Sequence, residues 1–233
     1  MNPRSLAIAQ TTRGDAAKAV GDLNEAERHF RSALSTYIEL EDRYSSAQML
    51  SALADLRFQS GDYASAADLN RQAAERMPGS VSALTGLAYA LWLAGSPADA
   101  DATFTQALHW DPNAVPALAG RGQVRTDLGR FALALADLDL ALSLSPTSSV
   151  LSDVHSARAV ALGGLGRPDE AWPEIDAALG LAPRRPRTHL RAARLAALAG
   201  DAARAAAEAR ASLEGDPPLS PRESASAHRL LAG

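Results

Sequence analysis

His29, His109, His155, His189 and His228 are the five imidazoles of this 233-residue chain, and they are scattered. No two stand at the i, i+4 spacing, with a third ligand, that a helical zinc site requires. Cysteine is absent, which removes thiolate ligands, a thiol nucleophile and a disulfide framework together. No glycine-rich phosphate cradle or nucleophile elbow occurs. The run LGGLGR at 162–167 has the glycines, but it stands where a turn between helices belongs. Nothing sets a nucleophile beside a base, so the expectation is a protein that is not an enzyme and takes no metal and no cofactor.

Two groups of side chains with binding chemistry remain. Phe58, Tyr89 and Trp92 could form an apolar floor for an extended or helical peptide. Plugging gaps among alanine-rich neighbours is the plainer use of such rings. The stretch PRRPRTHLRAARL at 183–195 holds five arginines and no acid. Arg187, Arg191 and Arg194 fall at i, i+4 and i+7, hence on one helical face, where guanidinium forks suit carboxylate or phosphate. A solvated charged face is the alternative.

The elements that would position these groups come from a recurring pattern. Gly21, Gly61, Gly95, Gly129, Gly166 and Gly200 are spaced by 40, 34, 34, 37 and 34 residues. Five residues after each comes alanine, at Ala26, Ala66, Ala100, Ala134, Ala171 and Ala205. Four further on stands Phe30, Asn70, Phe104, Leu138, Ile175 or Ala209, and three beyond that Ala33, Ala73, Ala107, Ala141, Ala178 or Ser212. Offsets of four and three share one helical face, and small residues there let a neighbouring helix approach closely. Proline closes five units, at Pro78, Pro112, Pro146, Pro183 and Pro217, because it has no N–H with which to continue a helix.

The recurrence decides a stretch that local reading leaves open. Residues 132–145 alternate leucine with alanine, aspartate or serine, a strand period written in helix-forming residues. The same slot in the second copy, GDYASAADLNRQAAERMP at 61–78, has no strand character, so 131–144 is expected to be helix. Leucine around most of its circumference predicts an interior helix packed on both sides. The six-residue excess of the first copy predicts one long helix from about Asn24 to Asp42. Pro173, five residues into a helix opening at Pro168, predicts a local kink. Ser220–Leu231 reads as a last helix, with Pro221 in its first turn and Gly233 near its end.

The period, with Leu50, Leu53 and Ala54 in one copy and Leu84, Leu87, Ala88 and Leu91 in the next, resembles the tetratricopeptide repeat (TPR). Later copies depart from that pattern, with Leu118, Arg121 and Gly122, then His155, Arg158, Ala159 and Leu162. His155 and His189 share one repeat position and are expected to be partly buried packing residues. The resemblance implies an all-α fold, a right-handed superhelical α-solenoid over 7–219. Its units would be about 7–46, 47–80, 81–114, 115–151, 152–185 and 186–219, with 220–233 as a capping helix.

In that family the first helix of each unit lines the concave surface. The resemblance therefore implies a groove containing Gln48, Ser51, Asp55, Phe58 and Gln59, then Ser82, Thr85, Tyr89 and Trp92, then Ala119, Gln123, Thr126 and Asp127. Later units would add Asp153, Ser156 and Val160, and Arg187, Leu190, Arg191 and Arg194. Asp55, Phe58, Gln59, Tyr89, Trp92, Gln123, Thr126, Arg187, Arg191 and Arg194 are the expected partner contacts. Thr11, Asp15, Ser51 and Asp55 stand where relatives that clamp chaperone tails carry lysine and asparagine, so that task is not expected.

A formal charge of −4 is too mild to suggest nucleic acid, and no stretch approaches the length of a membrane span. The N-terminal residues carry only the short apolar run LAIA, below the core of a secretory signal, so the expected place is cytoplasmic. The expectation is a non-catalytic scaffold or adaptor holding a protein or peptide partner in its groove. A self-assembling platform of identical chains and a ligand-responsive sensor domain in a bacterial regulatory or biosynthetic pathway are the alternatives.

Overall fold

The computed structural model describes residues 2–215 and 218–232, apart from the side chain at 149; Pro217 and Gly233 lie outside the described residues. Thirteen helices and no strand occur among the described residues. The chain divides into two compact units, Met1–Ala94 and Gly95–Gly233. Unit 1 holds α1 (Pro3–Ala19), α2 (Leu23–Glu39), α3 (Arg43–Gln59), α4 (Tyr63–Arg76) and α5 (Val81–Leu93). Unit 2 holds α6 (Pro97–Trp110), α7 (Val115–Asp127), α8 (Phe131–Ser143), α9 (Ser148–Gly164), α10 (Pro168–Leu181), α11 (Pro186–Leu198), α12 (Ala202–Leu213) and α13 (Pro221–Leu231). Within each unit, successive helices pack as helical hairpins stacked on one another.

Every alanine of the recurring pattern is buried, as are the larger residues four positions on. Packing at this range leaves no slack. A Cβ added at Gly120 would lie 2.3 Å from the ring of Phe104, and one at Gly122 would lie 2.6 Å from Leu138. Three of the glycine turns carry a glycine–aspartate pair, Gly21–Asp22, Gly61–Asp62 and Gly200–Asp201. Gly61 takes φ 78°, open only to residues without a Cβ penalty, and Asp62 then accepts the Ser65 N–H to cap α4.

The long helix expected over 24–42 is interrupted. α2 ends at Glu39 because Glu41 adopts φ 54° and Asp42 caps α3, accepting the Ser45 N–H at 2.9 Å. Glutamate–aspartate here does the work of glycine–aspartate elsewhere. The extra residues lengthen two helices instead, α2 and α3, at 17 residues each against 14 in α4 and 13 in α5.

Residues 131–143 are helical, as α8, but not enclosed on both sides. Ala134, Leu135, Leu138 and Ala141 are buried, whereas Leu133 and Leu140 are 53% and 40% exposed on its outward face. α10 runs unbroken through Pro173. The donor this proline lacks would have served the carbonyl of Asp169, an exposed residue that water can reach.

The departures in later copies are compensated pairwise. Arg121 grips Asp137 of α8 with two bonds, at 2.7 and 2.9 Å, and Arg125 links Asp137 to Asp101 of α6, both at 2.8 Å. Arg158 pairs with Glu174 in the following hairpin. An ion pair within the hairpin thus replaces an apolar contact at this position.

Candidate functional site

On α3 of unit 1, Tyr44, Gln48, Ser51, Asp55 and Phe58 follow one another at steps of four and three, so they form a single stripe. Tyr44 is 58% exposed, Gln48, Asp55 and Gln59 are exposed, and Phe58 is half-buried, its ring edge-on to Tyr63 at 5.2 Å. Asp55 receives Nζ of Lys18 from α1 at 2.9 Å. On α5, Ser82 is exposed and Thr85 and Tyr89 are partly so. Trp92 is only 2% exposed, with its ring 6.3 Å from that of Tyr89. It supports Tyr89 from below and presents little surface of its own.

Sequence reasoning missed two members of this face. Tyr44 lies one turn before Gln48, and Ile8, 54% exposed, occupies in α1 the place of Gln48 in α3. Tyr44 falls before the expected unit 47–80 because α3 begins at Arg43, four residues earlier, whereas Ile8 lies within the expected unit 7–46. The signal was present in Asp42, a helix-capping residue just ahead of RYSSAQML.

The corresponding face of unit 2 is closed by its own side chains. Gln123, Thr126, Asp153, Ser156 and Arg191 are buried. Arg191, 5% exposed, donates from Nη1 to the Asp153 carbonyl at 3.0 Å and to Oγ of Ser156 at 2.8 Å, and from Nη2 to Oε1 of Gln123 at 2.8 Å. Arg194 binds Asp127 at 2.5 Å, and Arg187 binds Glu223 of α13 at 2.6 Å. The arginine face is therefore gripped from within the unit, with Arg191 buried and Arg187 and Arg194 half-buried. Burial depresses the Arg191 guanidinium to about 10 despite the favourable charge of Asp153, so it stays cationic at neutral pH. Oδ1 of Asp153, 3.5 Å from Nη1 of Arg191, is buried without a hydrogen bond.

The structure thus brings Asp55, Phe58 and Gln59 together on α3 and Tyr89 with Trp92 on α5, all in unit 1. It gathers Gln123, Thr126, Arg187, Arg191 and Arg194 in unit 2. Two histidines pair in the same way within successive hairpins. Nδ1 of His155 lies 2.6 Å from Glu174, and Nδ1 of His189 lies 2.7 Å from Glu208. Among the described residues no helix is long and apolar enough to cross a membrane.

Three sequence models of the tetratricopeptide repeat match residues 5–79, 57–121 and 156–220. No curated protein matches the sequence. A tetratricopeptide repeat protein from Parabacteroides merdae ATCC 43184 is 18% identical, over 97% of this chain and 91% of its own, with a TM-score of 0.68. PilW, described as a widely conserved type IV pilus biogenesis factor, is 19% identical over 94% of this chain and 97% of its own, also at 0.68. YrrB, described as a TPR protein with an unusual peptide-binding site, is 18% identical over 76% of this chain and 87% of its own, at 0.57. At such identities the likeness is one of fold. The stacked hairpins, the recurring buried alanines and the three matches along the sequence make this chain a member of the tetratricopeptide repeat family.

Proposed function

We propose that this protein is a non-catalytic scaffold that holds a peptide segment of a partner protein on the first-helix face of unit 1. Tyr44, Phe58 and Tyr89 are the anchors, Gln48, Asp55, Gln59 and Ser82 the polar contacts, and Trp92 the buried support under Tyr89. One observation carries the reading: aromatic side chains stay accessible on this face, while the same helix positions in unit 2 are filled from within. Tyrosine offers large contact area at little conformational cost, with a hydroxyl to satisfy at the rim. YrrB, described as having a peptide-binding site on this fold, supports the choice of ligand class.

The test is affinity capture from native extract with the wild-type chain and with Tyr44→Ala/Tyr89→Ala, followed by titration of the identified partner. The double variant is expected to bind at least tenfold more weakly while melting within a few degrees of wild type. Binding within twofold of wild type removes the anchor assignment.

A further inference from the structure

The helix α8 packs on α7 and α9 and turns its other side outward. On that side Leu133 and Leu140 are 53% and 40% exposed, seven positions apart, with exposed Ala136 close to midway between them. The fold does not require leucine there. In the other second helices of the hairpins, α2, α4, α6, α10 and α12, the place of Leu133 is taken by Glu25, Ser65, Asp99, Glu170 or Arg204. None of these helices has a large apolar residue in the place of Leu140. The two acids of α8, Asp137 and Asp139, are held by arginines of α7 and α9, so the helix brings no uncompensated charge to its leucines.

We propose that α8 is the seam of a two-fold dimer, in which it packs antiparallel on α8 of a second copy of this chain. Leu133 and Leu140 are about 10 Å apart along the helix. A two-fold axis crossing the helix at Ala136 therefore sets Leu133 against the partner's Leu140, and Leu140 against the partner's Leu133. Alanine at the axis lets the two helices approach closely. Two leucines and an alanine fall well short of the roughly 800 Å² per partner of a standard interface, so the dimer is weak, with a dissociation constant of about 10–100 μM.

Charge selects the antiparallel sense. In the stack of hairpins α6 and α10 stand on either side of α8. A parallel pairing lays α6 on the partner's α10, with Asp99 against the partner's Glu170, and like charges oppose it. The antiparallel pairing lays α6 on α6 and α10 on α10, so that Asp99 meets the partner's Gln106 and Glu170 the partner's Ala177. It also brings exposed Asp169, in the first turn of α10, towards the partner's exposed Arg184, just beyond the last. The seam is separate from the aromatic face of unit 1 and stands or falls without it.

Sedimentation velocity over a concentration series through the micromolar range tests the seam. Wild type is expected to pass from monomer to dimer and no further, and Tyr44→Ala/Tyr89→Ala to do the same. Leu133→Ser/Leu140→Ser is expected to stay monomeric at every concentration while melting close to wild type. Asp169→Arg is expected to weaken the dimer severalfold, and Asp169→Arg/Arg184→Asp to restore it. A wild type that stays monomeric gives the leucines to some other occupant and overturns the proposal. Dimers that Leu133→Ser/Leu140→Ser leaves intact, or growth beyond the dimer, overturn it as well. Should the serine variant fail to fold, cross-linking decides, because the chain has no cysteine of its own. Ala136→Cys, at the axis, is expected to form a disulfide-linked dimer on oxidation and Leu133→Cys is not; no cross-link at Ala136→Cys, or equal cross-linking at both, rejects the antiparallel seam.

Discussion

Arg191 on α11 donates from Nη2 to Oε1 of Gln123 on α7 at 2.8 Å, across 68 positions of sequence. The same guanidinium holds the Asp153 carbonyl and Ser156 of α9, so one side chain ties three first helices. The inner face that a repeat of this family offers to ligands is, in unit 2, used by the protein to hold itself together.

Removing that tie leaves buried polar groups without partners. Arg191→Ala is expected to lower stability by about 3 kcal/mol, in the range for breaking a buried charged contact, and Gln123→Ala by about 1 kcal/mol. In a urea-denaturation cycle the double variant should cost less than the sum of the two. Strict additivity contradicts the shared bond.

Acid should release α13 early. Burial pushes the Glu223 carboxyl up, but Arg187 and the hydroxyl and amide of Ser220 outweigh it, leaving the group below its ordinary 4.5. A carboxylate lowered by folding stabilises fully above the unfolded value, and that contribution is lost as pH falls through the folded value. Protection of the amides over 218–232, measured relative to their unfolded exchange rates, is expected to fall as pH drops below the ordinary carboxylate range, and to fall much less in Glu223→Gln. Asp42, held low chiefly by the Ser45 amide, adds the same dependence at the start of α3.

Trp92 and Tyr44 should separate support from contact. Trp92→Ala opens a large hole under Tyr89 and is expected to cost about 3–5 kcal/mol in thermal or urea unfolding. Tyr44→Ala, at an exposed position, should cost under about 0.5 kcal/mol while weakening the partner. Comparable destabilisation by both would remove this division of roles.

Gly120→Ala forces a methyl group against the ring of Phe104, itself fully buried. Destabilisation of about 1–3 kcal/mol is expected, and pairing it with Phe104→Leu should recover part of that loss. A neutral Gly120→Ala would mean that the α6–α7 contact is looser than its geometry.

Pro173→Ala restores an N–H to α10 and is expected to raise stability by about 1–3 kcal/mol, read as a shift of the urea midpoint at constant slope. A loss of stability would show that the proline ring serves a packing role.

The sequence by itself determined the helices and their pairing. Small residues at offsets of four and three recur in register, and only close helix packing uses them at every copy, which also turned the alternating leucines of 132–145 into a helix. It determined the turns too, with one exception: Glu41–Asp42 closes α2 without glycine, because the Asp42 cap gained for α3 offsets a left-handed glutamate. What tertiary structure alone decided is which first-helix positions remain open. Tyr89 and Trp92 stand three residues apart with the same expected role, yet one is partly exposed and the other buried. Arg187, Arg191 and Arg194 look free in a run without acids, because Asp127, Asp153 and Glu223 come from α7, α9 and α13. Helical period fixes the face a side chain points from, but charge partners dozens of residues away fix whether that face is free to bind.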